Sequence, residues 1–240
     1  MMDIKQKVIF NVLAKDEQNA KELIEVAGDR IFVGVMVKNF ATEEEAIQQV
    51  LHFQNIGVPV SVGLGAADPN MWQRVANVSA KTRPVHINQV FSAAGYTLGR
   101  MEELGETPII NGVIEPSGTP GEVYISTGPA SSSNKEKVSC DLAAKMLAEV
   151  GIQSIKFYPI QGEKHLDEVA AMVKAAVRAG IKIFEPTGGI TVDNVYNIVK
   201  ICLDNGAEVV IPHLYTSLIN KETGKTEVAK IIHLLKIKWD

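Results

Sequence analysis

The sequence contains little that would set it apart from ordinary globular proteins. Its two cysteines, Cys140 and Cys202, each lie in a helical pattern, which favours buried core positions over a disulfide or a metal pair. No run approaches the ~18 apolar residues of a membrane span. The first residues show no apolar stretch typical of a signal peptide. A net charge of -4 gives no reason to expect nucleic acid or an anionic membrane as partner. These absences predict a cytoplasmic protein.

What is present is a regular alternation of short apolar runs with segments of helical spacing. Eight such runs are expected to be strands, at residues 8–14, 31–37, 58–64, 83–90, 108–114, 154–159, 181–186 and 208–212. Each run leads to a helix, and this alternation is typical of a parallel sheet. Eight units predict a closed (β/α)₈ TIM barrel, with a doubly wound open sheet as the alternative. No shift in composition divides the chain, so residues 1–240 are expected to form a single domain.

Residues 115–137 interrupt the alternation. The segment is rich in Gly, Pro and Ser and contains one strand-like piece at 122–127. A connection of this length in a compact domain is usually functional. Because it follows the fifth strand, it is expected at the catalytic mouth of the barrel, covering substrate or a neighbouring subunit's site.

Two motifs carry the chemistry: SIKFYP at 154–159 and EPTGGIT at 185–191. In the first, Lys156 lies in an apolar strand, where burial favours the neutral amine that attacks carbonyl groups. In the second, Gly188 and Gly189 form a turn before a predicted helix that starts at Thr191. Backbone N–H groups at such a turn suit a phosphate. The two motifs together suggest an enzyme that acts on a phosphorylated keto compound.

The paired motifs resemble the class I 2-keto-3-deoxy-6-phosphogluconate (KDPG) and 4-hydroxy-2-oxoglutarate aldolases, and more closely the KDGP-aldolase family. The resemblance implies a lyase that cleaves its substrate to pyruvate and an aldehyde through a Schiff base on Lys156. It implies no metal or organic cofactor and a homo-oligomer. Thr187, Gly188, Gly189 and Thr191 would bind the phosphate. Lys38, where the family's aldolases carry an arginine, would bind the substrate carboxylate.

The sequence departs from the family at the acid/base residue, because Gly34 stands where those aldolases have a glutamate. Proton transfer must then come from another residue at a predicted strand end. The candidates are His86, Glu115, Glu185 and His213. Of these, His86 and Glu185 are the expected catalytic residues, since a histidine has a suitable pKa for moving protons near neutral pH.

Two other functions are compatible with the same residues. His86, Glu115, Glu185 and His213 could ligate a divalent metal in a sugar-phosphate epimerase or a metal-dependent (class II) aldolase. The sequence has no tight ligand motif such as His-x-His, which weighs against this alternative. The barrel could also bind a phosphorylated metabolite without turning it over.

Overall fold

The computed structural model describes residues 6–239, in which strands alternate with helices as predicted. The strands are β1 (Phe10–Val12), β2 (Ile31–Met36), β3 (Val60–Gly63), β4 (His86–Val90), β5 (Ile109–Pro116), β6 (Glu122–Tyr124), β7 (Val138–Ser139), β8 (Ser154–Phe157), β9 (Ile183–Pro186) and β10 (Val209–Val210). The helices are α1 (Glu17–Ala27), α2 (Glu43–Asn55), α3 (Trp72–Thr82), α4 (Ala94–Glu103), α5 (Cys140–Glu149), α6 (Leu166–Arg178), α7 (Val195–Asp204) and α8 (Val228–Leu235). None of these helices has both the length and the hydropathy needed to cross a membrane.

Eight of the strands form one parallel sheet in the order β1-β2-β3-β4-β5-β8-β9-β10. The first strand meets the last through parallel bridges between Val8 and Val210 and between Asn11 and His213. The amide of Leu214 adds a hydrogen bond to the Asn11 carbonyl oxygen at 2.9 Å. The sheet is therefore closed, and the predicted TIM barrel is confirmed. An open doubly wound sheet would reverse its strand order part-way along, and this sheet does not.

Local sequence accounts for most of these elements. All six residues of β2 are buried, as expected for a strand covered on one face by helices and on the other by the barrel interior. Helix α2 begins with a capping box, in which the Thr42 hydroxyl accepts from the Glu45 amide at 3.2 Å and the Glu45 carboxylate accepts from the Thr42 amide at 3.3 Å. This cap fixes where α2 begins.

Side chains that point into the barrel form layers of different polarity. The apolar floor consists of Ile9, Phe32, Ile109, Ile183 and Ile211, which pack together in a separate hydrophobic cluster. Inward positions recur every second residue along a strand, so polar residues follow two positions later in several strands. The polar layer consists of Asn11, Ser61, His86, Asn111, Ser154, Glu185 and His213, all buried. Its side chains lie directly against the apolar floor, since the His86 ring stacks on Phe32 with centroids 5.2 Å apart.

Residues 115–137 leave the barrel as a small antiparallel sheet. The end of β5 pairs with β6, and β6 pairs with β7. The strand expected at 122–127 is present but shorter, at Glu122–Tyr124. The buried carboxylate of Glu168, in the first turn of α6, accepts hydrogen bonds from the amides of Ser117 (2.8 Å) and Gly118 (2.9 Å). These bonds anchor the start of the segment to the barrel.

Candidate active site

Lys156 is held inside the barrel, on β8, with only 8% of its surface exposed. Its Nζ donates a hydrogen bond to Asn88 Oδ1 at 3.0 Å and lies 3.2 Å from His213 Nδ1. Burial lowers the pKa of the amine to about 8, against a smaller opposing effect of the Glu185 charge. The side chain is therefore neutral for a useful fraction of the time near neutral pH, as a nucleophilic amine must be.

Glu185 is the centre of the polar layer and is 0% exposed. Its carboxylate accepts hydrogen bonds from His213 Nε2 at 2.8 Å, Asn111 Nδ2 at 2.8 Å and His86 Nε2 at 3.1 Å, and also from the Ser154 hydroxyl. Burial alone would raise its pKa. The electrostatic attraction of the two imidazole N–H groups and their hydrogen bonds outweigh burial and hold the pKa of Glu185 well below its usual range. Glu185 is thus a buried anion with its acceptor sites occupied.

The proton on His86 can be located from the bonds around Ser61. The Ser61 hydroxyl oxygen accepts from Asn11 Nδ2 at 2.9 Å and from Asn88 Nδ2 at 3.0 Å, which uses both of its lone pairs. Its own proton therefore points to His86 Nδ1, 2.8 Å away. His86 is then neutral, with its ring proton on Nε2 directed at Glu185.

Three of the four residues weighed as metal ligands do meet: His86, Glu185 and His213 offer ligand atoms within 4.8 Å of one another. The fourth, Glu115, lies outside this cluster and forms an ion pair with Lys135, both within the segment 115–137. Proximity alone therefore leaves the metal alternative open for three residues.

The hydrogen-bond pattern does not fit a metal at that position. A neutral histidine that binds a cation through Nε2 carries its proton on Nδ1 and needs an acceptor there. The neighbour of His86 Nδ1 is the Ser61 hydroxyl, whose lone pairs are already occupied. The neighbours of His213 Nδ1 are Lys156 Nζ and the Tyr215 hydroxyl, both of which can donate to it. The cluster is arranged as a carboxylate between two hydrogen-bonding imidazoles.

A cavity of about 610 Å³ opens over the polar layer, on the side where the strands end, which is the catalytic face of TIM barrels. Lys156, His213 and Tyr215 line it. Glu185 and His86 do not line it and are fully buried, so they lie behind the cavity wall. Most of the remaining wall comes from the ends of β2, β3, β9 and β10 and the loops that follow them, at residues 38–39, 63–67, 187–191 and 215–217. The other lining residues are Leu13, Met36, Asn88, Val113 and Tyr158.

The turn at Gly188 and Gly189 forms one side of the cavity. Both residues have positive φ, +103° and +72°, which favours glycine. A Cβ atom on Gly189 would lie 2.5 Å from the Gly162 amide nitrogen, so the close approach of that loop also requires glycine. Within residues 6–239 no acceptor is found for the amides of Gly188 and Gly189. These two N–H groups remain available to an anion.

Thr187 and Thr191 flank this turn, and their phosphate-binding role stays a prediction. Thr187 lines the cavity, but its amide and hydroxyl donate to backbone carbonyl groups within the barrel. Helix α7 begins at Val195, so Thr191 does not start it. Thr191 instead forms a turn, with its amide donating to Asn194 Oδ1 at 2.8 Å. The reason is that the Asn194 side chain and the Thr191 hydroxyl compete locally with helix formation.

Thr216 and Ser217, which sequence reasoning missed, complete this side of the cavity. They open a short 3-10 helix, Thr216–Leu218, directly after the last barrel strand. The Ser217 hydroxyl oxygen is buried, and neither it nor the two amides has a hydrogen-bond partner in the described part of the chain. TIM barrels commonly bind phosphate between the loops after strands seven and eight, at the start of a short extra helix. Two hydroxyl residues just past the eighth strand were a signal for this.

The loops after β2 and β3 form another side of the cavity. Lys38 lies there with its side chain 52% exposed, and its Nζ forms an ion pair with Asp68 Oδ2 at 2.8 Å. Gly65, Ala66 and Ala67 all have positive φ (90°, 49° and 53°), which is uncommon for alanine. The amides of these three residues find no acceptor among the residues the structure describes. This side therefore offers a cation and several N–H groups.

None of residues 115–137 lines the cavity. The segment therefore does not cover the cavity of its own chain. That it covers a neighbouring subunit's site stays a prediction.

Comparison with known proteins extends these observations. The chain matches the family model described as KDGP aldolase over residues 4–222. It is 42% identical over 235 residues to a 2-dehydro-3-deoxy-phosphogluconate aldolase of Salmonella typhimurium (strain 14028s / SGSC 2262), a match that covers 97% of this chain and 95% of the relative.

Solved structures show the same fold at low sequence identity. A mutant tryptophan synthase alpha-subunit from the hyperthermophile Pyrococcus furiosus aligns with a TM-score of 0.61 and 15% identity, over 96% of this chain and 98% of that one. The carboxyl transferase domain of Rhizobium etli pyruvate carboxylase, solved with pyruvate, aligns with a TM-score of 0.56 and 13% identity, over 97% of this chain and 44% of that one.

Proposed function

This chain belongs to the KDGP aldolase family, and we propose that it cleaves a 2-keto-3-deoxy-6-phospho sugar acid through a Schiff base on Lys156. The enzyme is an aldolase, a lyase. The observation that carries the assignment to Lys156 is a buried amine of lowered pKa that lines the cavity. The products would be pyruvate and a phosphorylated aldehyde. The same chemistry would serve 4-hydroxy-2-oxoglutarate, which lacks the phosphate.

The proposed reaction uses the amine as an electron sink. The neutral Nζ of Lys156 adds to the 2-keto carbon, and loss of water gives a protonated imine. The positively charged imine nitrogen draws the electrons of the C3–C4 bond as the C4 hydroxyl loses its proton. The aldehyde leaves, and an enamine of pyruvate remains on Lys156. Protonation at C3 and hydrolysis then release pyruvate and restore the amine.

The cavity suits a substrate with an anion at each end. On one side are the N–H groups of Gly188, Gly189, Thr216 and Ser217, which suit a phosphate. On another side are Lys38 and the amides of residues 65–67, which suit a carboxylate. The two sides belong to strand pairs that are not neighbours in the barrel, β9 with β10 and β2 with β3. A keto acid with a terminal phosphate would therefore span the mouth across Lys156.

Glu185 and His86, the residues expected to be catalytic, are proposed to act from behind the cavity wall. Neither lines the cavity, and Glu185 accepts hydrogen bonds from both histidines. His213, which lines the cavity, contacts both Glu185 and Lys156, and Asn88 links Lys156 to the same layer through Asn111 and Ser61. Glu185 and His86 would thus set the tautomer and orientation of the groups that meet the substrate.

The Schiff base is tested by borohydride reduction in the presence of pyruvate, followed by peptide mass spectrometry. Wild type is expected to carry one pyruvate-derived adduct on Lys156 and to lose activity. Lys156→Met should show neither adduct nor turnover. Lys182→Met is the matched control, because that lysine is 63% exposed and outside the cavity. An adduct that maps to another lysine, or no adduct at all, would refute the assignment.

The phosphate site is better tested at Ser217 than at Gly189, where any side chain would strike the Gly162 backbone. Ser217→Ala should raise the KM of the phosphorylated substrate about tenfold, since a hydrogen bond to a charged group contributes roughly 1.5–3 kcal/mol. The KM of the same acid without phosphate should not change. Exposed Ser133→Ala is the control. Equal increases for both substrates would move the phosphate elsewhere.

The carboxylate site is tested by Lys38→Ala, which should weaken pyruvate binding with little effect on the turnover of bound substrate. We expect a tenfold or greater rise in the pyruvate concentration needed for half-maximal trapping. Asp68→Asn keeps Lys38 and removes its ion-pair partner, so it should bind pyruvate at least as well as wild type. Unchanged pyruvate binding in Lys38→Ala would leave the 65–67 amides as the carboxylate site.

We also expect a homo-oligomer, by resemblance to related aldolases, and a cytoplasmic location, from the cysteine usage and the apolar pattern of the sequence. Cys140 and Cys202 are buried and form no disulfide, which is compatible with a reducing compartment. Sedimentation of the purified protein would test the oligomeric state.

A further inference from the structure

The resemblance implies an acid/base glutamate at position 34, and in this chain the space beside Gly34 is occupied by Met36, Leu13 and Tyr215. A Cβ atom on Gly34 would lie 2.8 Å from Met36 Cε, 3.0 Å from Leu13 Cδ2 and 3.4 Å from the Tyr215 hydroxyl oxygen. A longer side chain at position 34 would therefore project into the volume that Tyr215 occupies. The Tyr215 phenol comes from the loop after β10, on the other side of β1, and brings a polar group to the place the glutamate would have reached.

Tyr215 is connected to the polar layer. Its hydroxyl donates a hydrogen bond to Asn11 Oδ1 at 3.3 Å and also lies 3.2 Å from His213 Nδ1, so that rotation about the C–O bond turns the proton from one acceptor to the other. Its side chain lines the cavity. Burial, with the Glu185 charge, raises the pKa of the phenol, so Tyr215 keeps its proton. A phenol that stays protonated can give its proton to one neighbour while it takes another from a ligand.

His213 is prepared to take that proton. Its Nε2 lies 2.8 Å from a carboxylate oxygen of Glu185, which only accepts, so the ring proton of the neutral imidazole is on Nε2. Nδ1 then carries a lone pair, which faces both the Tyr215 hydroxyl and Lys156 Nζ at 3.2 Å. One imidazole thus touches the nucleophile on one side and the phenol on the other, with an anion behind it.

We infer that Tyr215 exchanges the substrate proton and that His213, backed by Glu185, stores it. The inference rests on the proposed function. In cleavage, the C4 hydroxyl gives its proton to the Tyr215 oxygen while Tyr215 gives its own to His213 Nδ1. The C3–C4 electrons move to the imine nitrogen, so aldehyde, neutral enamine and imidazolium result. The proton then returns from His213 through Tyr215 to C3 of the enamine, and all three groups regain their starting states.

The charges in this step compensate one another. Burial and the nearby Lys156 cation lower the pKa of His213 to about 3. When the imine nitrogen accepts the C3–C4 electrons, the positive charge beside His213 disappears. The imidazole becomes a better base at the moment it is needed, and the Glu185 anion stabilises the imidazolium. The buried site therefore holds a constant net charge, which avoids the cost of creating a new one in a low dielectric.

The test separates imine formation from proton exchange, using Tyr215→Phe, pyruvate and D₂O. Deuterium enters the pyruvate methyl group only if a base removes a C3 proton from the imine, and NMR follows this directly. Borohydride trapping reports the imine independently. Tyr215→Phe should form the Lys156 adduct within about threefold of the wild-type rate. Its methyl exchange and its turnover should fall about 10²–10⁴-fold, the usual contribution of general acid–base catalysis.

Two control variants test whether the loss of exchange is specific to Tyr215. Tyr96→Phe changes a tyrosine that is 52% exposed and should exchange like wild type. Tyr158→Phe removes the other phenol that lines the cavity, and a loss of exchange there with none in Tyr215→Phe would overturn the inference. Wild-type exchange in Tyr215→Phe, or loss of its adduct together with its exchange, would overturn it as well. Absence of an adduct in wild type would instead refute the Schiff base itself.

Discussion

Replacing Lys156 with methionine is expected to abolish catalysis and to stabilise the fold at neutral pH. Burial holds the pKa of the amine at about 8 instead of the ordinary 10.5. At ~1.4 kcal/mol per unit, the charged amine costs the folded state about 3 kcal/mol at pH 7. Methionine fills similar space without the charge. The two hydrogen-bond partners that Lys156 would leave behind each have another polar neighbour. Asn88 Oδ1 also accepts from Asn111 at 3.0 Å, and His213 Nδ1 lies 3.2 Å from the Tyr215 hydroxyl.

The sign of the pH dependence follows from the two pKa values. Between about pH 8 and 10.5 the unfolded chain binds a proton at Lys156 that the folded chain does not, so wild-type stability rises with pH across this window. The advantage of methionine is therefore full below pH 8 and vanishes above 10.5. Near pH 9.5 it should be about 1 kcal/mol.

Urea unfolding of wild type and Lys156→Met at both pH values measures this difference and cancels the other titrating groups. At pH 7 the variant's Tm should rise by roughly 6–12 °C for a chain of this size. Lys182→Met, at an exposed position, should change stability by no more than ~0.5 kcal/mol at either pH. A methionine variant less stable than wild type at pH 7, or a difference that does not vary with pH, would refute the reasoning.

Three further outcomes follow from the site. Glu185→Gln should lower the free energy of unfolding by about 3–5 kcal/mol, because its amide would place N–H groups against the donors that surround Glu185. Glu115→Gln, at the partly exposed ion pair with Lys135, should cost under ~1 kcal/mol in the same urea titration, and equal losses would contradict this account. EDTA should leave turnover unchanged, and a loss that divalent metal restores would reinstate a metal enzyme. Removing the substrate phosphate should lower kcat as well as raise KM in steady-state assays, since remote binding energy positions the reacting carbons; an effect on KM alone would contradict this.

The parts of the site that sequence predicts are those with a local signal. A lysine inside an apolar strand and two glycines at a strand exit are visible in a few residues. The barrel itself follows from repetition of one local pattern. One requirement for glycine at 189 is not visible in the local sequence. A Cβ atom there would lie 2.5 Å from the Gly162 amide nitrogen, which belongs to a different loop.

The rest depends on the register between strands. A lone histidine in a strand looks the same in sequence whether it meets substrate or supports another residue, and His86 proves to lie behind the cavity. Tyr215 carries no pattern of its own. Its role can be inferred only from the closed barrel, where β1 alone lies between β10, which Tyr215 follows, and β2, which carries Gly34. Proton transfer is therefore the part of the function that requires coordinates.

The apolar floor has a consequence for isotopes. Ile9, Phe32, Ile109, Ile183 and Ile211 pack together below the polar layer, and the cavity opens above it, so among residues 6–239 the open route from the polar layer to water leads through the mouth. The barrel interior is thus packed at one end and open at the other. When a ligand occupies that opening, a proton held on His213 or Tyr215 reaches water only past the ligand, so exchange with solvent should be slower than in an open site and should be completed when the ligand leaves. Five side chains that never touch substrate thereby direct the exchange of label through the mouth of the barrel.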